Sequence, residues 1–451
     1  MRPLPVVHRK ARARCTVLNA AADDARRSRR RTLSFCYAAL GSLICVKAVV
    51  AQALPIMLAT YQLRPELVAE MLGTVAACSA AVEFALLPGV AALSDARGRR
   101  PVLLALPLLT LLLRMLVVMR PALLTLIVSR VVVGALVNYF DLFVSVTAAD
   151  LYADDADALA SLEGKTAAVW GAAYAGGMVL GGRLLAAPVN GLSMTAGPLR
   201  AYMVSAGFAA LAFCFALGAR ETLPPQRQIP FSMRKGIEPY NPLGFLRLFR
   251  SGRTIASLAA ILALQTLHDG EGDTWQVYGA EVHGWSTREA SWYGAAVGVA
   301  STTGGLLTGR SVRRLGNRRH TWMWTLATGI SLLLFMTPSP ASSLAAISVL
   351  FCAAEDCMSA AVCARIVHAG DEAGLSQGQL ASDVHNLSAI VRMIGLWGFG
   401  RLYLAGVRCR LPSLPYLLCA GTQLAAALLV VLLPKEWWHK QRDRKGDSVE
   451  T

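Results

Sequence analysis

Charge is scarce in this chain: 16% of its 451 residues are Asp, Glu, Lys or Arg, whereas 55% are hydrophobic. Soluble domains hold roughly 45–50% apolar residues, so the excess argues against a soluble α/β fold and calls for a lipid sink. Cysteines in pairs are lacking too. The ten are scattered with no C-x-x-C and no His partner at metal-ligand spacing, and Cys36, Cys45, Cys78, Cys214, Cys352, Cys357, Cys363 and Cys419 fall in apolar segments. They read as small hydrophobes, implying neither a disulfide framework nor a metal. No P-loop, dinucleotide fingerprint, H-E-x-x-H helix or Ser/His/Asp arrangement is present, which speaks against an ATP-driven pump and a membrane hydrolase. No cofactor and no enzymatic reaction are expected.

What is present is a recurring apolar run. Crossing about 30 Å of hydrocarbon takes about 20 apolar residues, and segments of that length follow one another from Leu33 to Pro434. The pattern predicts spans at Leu33–Tyr61, Leu67–Leu93, Pro101–Met119, Leu123–Ala148, Gly164–Ala187, Leu199–Ala219, Ile255–Tyr278, Ala290–Thr308, Thr321–Pro338, Leu344–Arg365, Leu380–Gly406 and Pro415–Leu433. The fold class expected is an all-α membrane protein with twelve transmembrane helices in two pseudo-symmetric six-helix bundles. An even number of spans puts both tails on one side.

A formal charge of +16 raises the question of a nucleic-acid partner. The basic residues do not form one patch, however. Of the 44 Lys and Arg, 32 lie in the tails and in the alternate loops on their side, and six lie on the opposite side. That asymmetry predicts cytoplasmic tails, and no nucleic acid is expected.

The organisation expected is a basic cytoplasmic tail (1–32), a first bundle (33–219), a cytoplasmic linker (220–253), a second bundle (254–434) and a second cytoplasmic tail (435–451). The first tail is Arg-rich like an organelle transit peptide, but Asp23 and Asp24 favour a solvated tail. Pro224, Pro225, Pro230, Pro239 and Pro242 mark the linker as a tether. Within it Asn241 and Pro242 open a stretch of mixed apolar and basic residues to Arg250, the signature of a short interfacial helix. Gly98-Arg99-Arg100 after the second span and Gly316-Asn317-Arg318-Arg319 after the eighth point to an internal duplication. Asn386-Leu387-Ser388 has the form of a glycosylation acceptor, yet it starts span eleven near the cytoplasmic face and is set aside.

Ala91-Ala92-Leu93-Ser94-Asp95-Ala96-Arg97-Gly98-Arg99-Arg100 joins spans two and three, and Arg130-Val131-Val132-Val133-Gly134 lies in span four. In these motifs the sequence resembles the major facilitator superfamily, in its tetracycline/proton antiporter-like or hippocampus-abundant-transcript-like branch, whose loop has the form G-x-L-x-D-x-x-G-R-R/K. In similar transporters this cluster latches the halves on the cytoplasmic side, which makes Asp95, Gly98, Arg99 and Arg100 candidates for that role. Arg130 and Gly134 match the family's R-x-x-x-G in span four, where the Arg is linked to proton transfer. The antiporter glycine pattern of span five falls on Gly164, Ala173, Gly177, Gly181 and Gly182, with Met178 in place of its Pro. Arg220-Glu221-Thr222-Leu223-Pro224 resembles the P-E-T-L-P after span six. The resemblance covers Leu33 to Pro434 and implies that spans one, four, seven and ten line a central cavity.

Ionisable residues inside spans are costly in lipid and mark a pathway or a partner. The candidates among them are Lys47, Glu83, Arg114, Arg130, Asp141, His268, Asp269, Glu355, Asp356 and Arg392. Lys47, Glu83, Arg130, Asp141, Glu355 and Asp356 are candidates for proton coupling or cavity charges, or else belong to static buried pairs. His268, Asp269, Trp275 and Arg114 are candidates for substrate contact. The segment Leu267-His268-Asp269-Gly270-Glu271-Gly272-Asp273 is either a broken helix beside a cavity or an extension into solvent, and Trp275, Tyr278 and Trp292 are either substrate stackers or interface anchors.

Together these readings predict a secondary active transporter that moves a small organic solute by alternating access, coupled to protons and favouring antiport out of the cytoplasm. The rivals are a proton-coupled symporter or facilitator of a nutrient or organic anion, and a transporter-shaped receptor or scaffold without flux. Partners expected are a small-molecule substrate, protons and the bilayer, with the chain a monomer.

Overall fold

The computed structural model describes residues 6–59, 64–152, 156–186, 196–223, 241–272, 274–337, 348, 358–372 and 377–438, and every regular element among them is helical. The first half contains α1 (Val6–Val49), α2 (Ala53–Ala59), α3 (Pro65–Arg97), α4 (Arg99–Met119), α5 (Leu123–Leu151), α6 (Ala156–Ala186) and α7 (Ala196–Leu217). The second half contains α8 (Arg253–Thr266), α9 (Thr274–Val282), α10 (Thr287–Met336), α11 (Ala360–Glu372), α12 (Gln377–Arg408) and α13 (Leu414–Leu432). Seven helical segments among the described residues are long and apolar enough to cross a membrane. The helices follow the order of the predicted spans. Span ten lies mostly outside the described residues, with α11 at its end.

Two elements differ from their predicted form, and span seven takes one of the two forms expected of it. Helix α1 begins at Val6, well before Leu33, so the basic segment continues the first span as helix. Span seven is interrupted: α8 stops at Thr266, a 3-10 helix covers Leu267–Glu271, Gly272 takes a φ of 44°, and α9 resumes at Thr274. Spans eight and nine are joined by helix rather than by a loop, the chain reversing at Gly316 alone, where φ is 74° and ψ 159°. The linker's Pro242–Phe249 forms a 3-10 helix, with the Leu243 N–H donating to the Asn241 side chain at 2.9 Å.

The sides of α4 explain how such helices pack. Leu108, Leu109, Leu112, Met115, Leu116 and Met119 are exposed, whereas Val102, Leu106, Thr110, Arg114 and Val117 are buried. A helix in water turns its apolar side inward; here Thr110 and Arg114 are inside while Leu108, Leu109, Leu112 and Leu116 face outward, as lipid requires.

Packing differs between the two ends of the bundle. At the end away from the tails, Val49, Leu54, Met57, Leu72 and Met178 of the first half share one apolar cluster with Tyr278, Phe335, Tyr403 and Tyr416 of the second. At the tail end the halves pack separately. Leu40, Val102, Phe140, Phe143 and Ala212 form one core, and Ile255, Leu258, Val362, Ile366 and Val430 form another, joined from the first half by Phe84. Between the halves α6 runs along α10 and α3 along α12, the two most extensive helix pairings among the described residues.

Candidate functional site

Helix α3 carries small residues on the side that meets α12. A Cβ at Gly73 would come within 2.7 Å of the Leu396 carbonyl, and Ala77 and Ala80 are buried against Leu396. This close approach sets Glu83, 0% exposed, against the second half. Arg392 Nη2 donates to Glu83 Oε1 at 2.6 Å, and His385 Nε2 lies 3.2 Å from the same oxygen. From the first half, Asn138 Nδ2 donates to Oε2 at 2.6 Å, and Lys47 Nζ donates to Asn138 Oδ1 at 3.4 Å. The Tyr139 hydroxyl meets the carbonyls of Val82 and Glu83, each at 2.9 Å. One carboxylate therefore links α1, α3 and α5 to α12. Such a buried pair adds little net stability when intact, but loss of one partner strands the other.

A second constellation surrounds the break in span seven. His268 Nδ1 lies 2.7 Å from the Gln265 carbonyl and its Nε2 3.4 Å from Asp269 Oδ1. Trp275 packs 5.6 Å from Tyr293, which is 5.4 Å from Phe335. A cavity of about 60 Å³ lies among Tyr174 of the first half and Glu271, Trp275, Tyr293, Ser331 and Phe335 of the second. Trp275 is thus a cavity residue, while Trp292 is exposed on its helix. Sites that hold organic ligands run to about 300–1,000 Å³, so this cavity must widen before it receives one.

The loop after α3 forms a third cluster. Gly98 takes φ 93° and ψ 167°, a conformation only glycine adopts readily. Arg99 pairs with Asp95 and, through Nε, with Asp150 Oδ2 at 3.0 Å. Glu221 caps the start of α4, accepting the N–H groups of Arg99 at 2.9 Å and Arg100 at 3.0 Å. A carboxylate suits a helix amino-terminus, which explains why the loop motif and the segment after span six meet. These contacts are internal to the first half, so in this conformation the cluster ties spans two, four and six together instead of latching the two halves.

The remaining predicted residues do not gather into one site. Arg114, 1% exposed, sits inside the first half: Nη1 donates to Ser129 at 3.1 Å, Nη2 to the Val46 carbonyl at 3.5 Å, and the guanidinium lies 5.2 Å from the Tyr202 ring centroid. It is buried within one half, whereas substrate contact was expected of it. Arg130 and Asp141 are half-buried in α5. Gly177 and Gly181 abut Ala48 and Val49 of α1, and Gly182 abuts Ser291 of α10, so they serve close helix packing. Glu355 and Asp356 lie outside the described residues. His385, Asn138 and Glu271 were not singled out as site residues from sequence.

The Major Facilitator Superfamily profile matches residues 33–395. The chain belongs to this superfamily. Its fold is shared with the human organic anion transporter MFSD10 (TETRAN), at 18% identity and a TM-score of 0.65 over 89% of this chain and 99% of that one. A D-xylose-proton symporter gives 17% identity and a TM-score of 0.68 over 88% and 96%. A bacterial homolog of the human lysosomal transporter Spinster, in an inward-facing and unoccupied conformation, gives 17% and 0.62 over 90% and 95%. These are transporters, not enzymes, and in this major facilitator protein the Glu83 network and the aromatic cavity both lie where the two halves meet.

Proposed function

We propose that this chain is a proton-coupled transporter that moves a small organic solute by alternating access, exporting the solute as a proton enters. The observation that carries the reading is Glu83: a fully buried carboxylate that holds Asn138 of its own half and Arg392 and His385 of the other. Ionised, it draws α12 onto α3. A proton on Glu83 removes the charge that Arg392 and His385 answer, and the two halves are then free to rock. Because both halves contribute to its binding, its protonation state and their separation are linked.

The packing asymmetry supports the same cycle. With both tails cytoplasmic, the shared apolar cluster is the outer gate and the separately packed cores lie at the inner side. The cavity beside Tyr174 and Trp275 spans the junction and serves as the solute chamber. Lys47, joined to Glu83 through Asn138, tunes the coupling group. The chain works as a monomer, with residues 220–253 tethering the halves.

The test is flux in proteoliposomes under an imposed pH gradient, across a panel of cationic drugs, sugars and organic anions. Gradient-dependent movement of one class is expected. Flux indifferent to the gradient would make the protein a facilitator, and no flux from a folded sample would overturn the transport reading.

A further inference from the structure

The cavity at the junction of the halves is walled mainly by aromatic side chains. Tyr174 of α6 closes it from the first half, and Trp275, Tyr293 and Phe335 close it from the second; apart from Glu271 and Ser331 the remaining walls are glycine and aliphatic. Trp275 and Phe335 flank Tyr293 with centroids 5.6 and 5.4 Å away, tilted by 47° and 33°. The three rings therefore form one continuous surface. Among the described residues that line the cavity the only acid is Glu271, and there is no lysine, arginine or histidine.

The interruption of span seven is what brings a carboxylate to this wall. The 3-10 helix ends at Glu271, Gly272 turns the chain at a φ of 44°, and α9 restarts at Thr274 and carries Trp275 into the same lining.

This lining separates the classes of solute. An anion would give up its water to meet a carboxylate and no basic group, which is unfavourable. A sugar needs a hydrogen-bond partner for each hydroxyl it buries, and here the Ser331 hydroxyl donates to the Ser348 carbonyl at 3.1 Å while the Tyr293 hydroxyl lies 3.1 Å from that of Ser348. A cation with an apolar body suits both kinds of wall. Aromatic rings attract it through their quadrupoles, as in the cages that recognise quaternary ammonium groups, and Glu271 supplies the opposite charge.

We propose, resting on the reading of this cavity as the solute chamber, that the solute is a small organic monocation of the substituted-ammonium class. Trp275, Tyr293, Phe335 and Tyr174 surround the cationic head, and Glu271 sets the sign of the charge accepted. The volume of about 60 Å³ equals that of about two waters at about 30 Å³ each, so this is the collapsed form of the site. Tyr174 stands on one half and the other walls on the other, so the parting of the halves widens it.

The test is equilibrium binding to the full-length protein in nanodiscs at neutral pH, with no gradient, of three probes of similar shape and size. They are choline, its neutral isostere 3,3-dimethylbutan-1-ol, and the anion 3,3-dimethylbutyrate. Choline should bind saturably and about tenfold or more tightly than the isostere, with the anion weakest. Glu271→Gln should lower the preference for choline over the isostere about tenfold, and Trp275→Leu, which keeps an apolar wall, a few-fold. The ratio of the two probes separates recognition of charge from general damage to the site. Should either variant fail to fold, the order of the three probes on the wild type decides. Isostere or anion binding as tightly as choline, no saturable choline binding, or a preference unchanged in both folded variants would each overturn the proposal. Gradient-driven flux with the anion bound best would overturn this assignment alone, whereas the expected order of binding without flux of any solute would overturn the transport reading alone.

Discussion

Replacing Glu83 with Gln keeps the shape of the side chain and removes its charge. The carboxylate accepts from Arg392 at 2.6 Å and lies 3.2 Å from His385, both in the second half. Hydrogen bonds to charged groups contribute about 1.5–3 kcal/mol each. Arg392 and His385 keep 26% and 28% of their side-chain surface exposed, so water screens them and the lower bound applies, giving about 3 kcal/mol for the two. At 1.36 kcal/mol per tenfold, the balance between paired and released halves shifts by about two orders of magnitude. The neutral amide of Glu83→Gln also imitates a permanently protonated carboxyl. Gradient-driven solute accumulation in proteoliposomes should therefore fall about a hundredfold, while exchange of solute at equal pH stays within about tenfold of the wild type. Accumulation by the variant within a few-fold of the wild type would refute the coupling role. Loss of accumulation and exchange together, in protein that remains folded, would assign Glu83 to the structural frame.

Gly98→Ala places a side chain at φ 93° and ψ 167° and against the Glu221 carboxylate; the backbone strain alone costs about 1–3 kcal/mol, measurable as a lowered melting temperature in detergent. Gly171→Leu inserts bulk where α6 touches the backbone of Gly298 and Thr302 of α10, and should block transport while leaving a folded protein by size-exclusion chromatography. His283, between α9 and α10, is held below its ordinary value by burial, against the opposing pull of its hydrogen bond to the Phe335 carbonyl. A depressed histidine binds protons less readily folded than unfolded, so its stability contribution is full above about pH 6.5 and declines as pH falls below that value. The melting temperature should drop between neutral pH and about pH 5, and His283→Phe should show a smaller drop.

The parts of this fold that were legible in the sequence are those written locally. Apolar runs gave the helices, and the Gly98 and Gly316 turns announced themselves by spacing and basic neighbours. Glu83 stood out because a carboxylate is costly in hydrocarbon. Its partners did not. Asn138 is neutral, His385 lies near the start of its span, and their meeting depends on the packing of α3, α5 and α12. Arg114 shows the converse: its cost is visible in the sequence, but the side of α4 it occupies is not, and the fold buries it within the first half. The loop motif suggests a latch, yet Glu221, whose carboxylate caps the start of α4, arrives from more than a hundred residues away.

The distribution of polar and apolar contacts across the junction of the halves explains how such a protein can alternate at all. At the end away from the tails, closure rests on shape. Aliphatic side chains of the first half meet an aromatic group in which Tyr278 lies 4.7 Å from Tyr416 and 5.4 Å from Phe335. Each aromatic pairing adds about 0.5–1.5 kcal/mol beyond burial. Nearer the tails, a polar contact across the junction is the Glu83 network, which in the proposed cycle a single proton releases. A gate built of packing sets a constant bias, whereas a gate built of charge can be switched. Gly164, Gly171 and Gly182 bring α6 close against α10, the kind of small-residue packing that the proposed rocking would use. The switchable contact then needs only a few kcal/mol to choose between them, which is the amount that protonating a buried ion pair supplies.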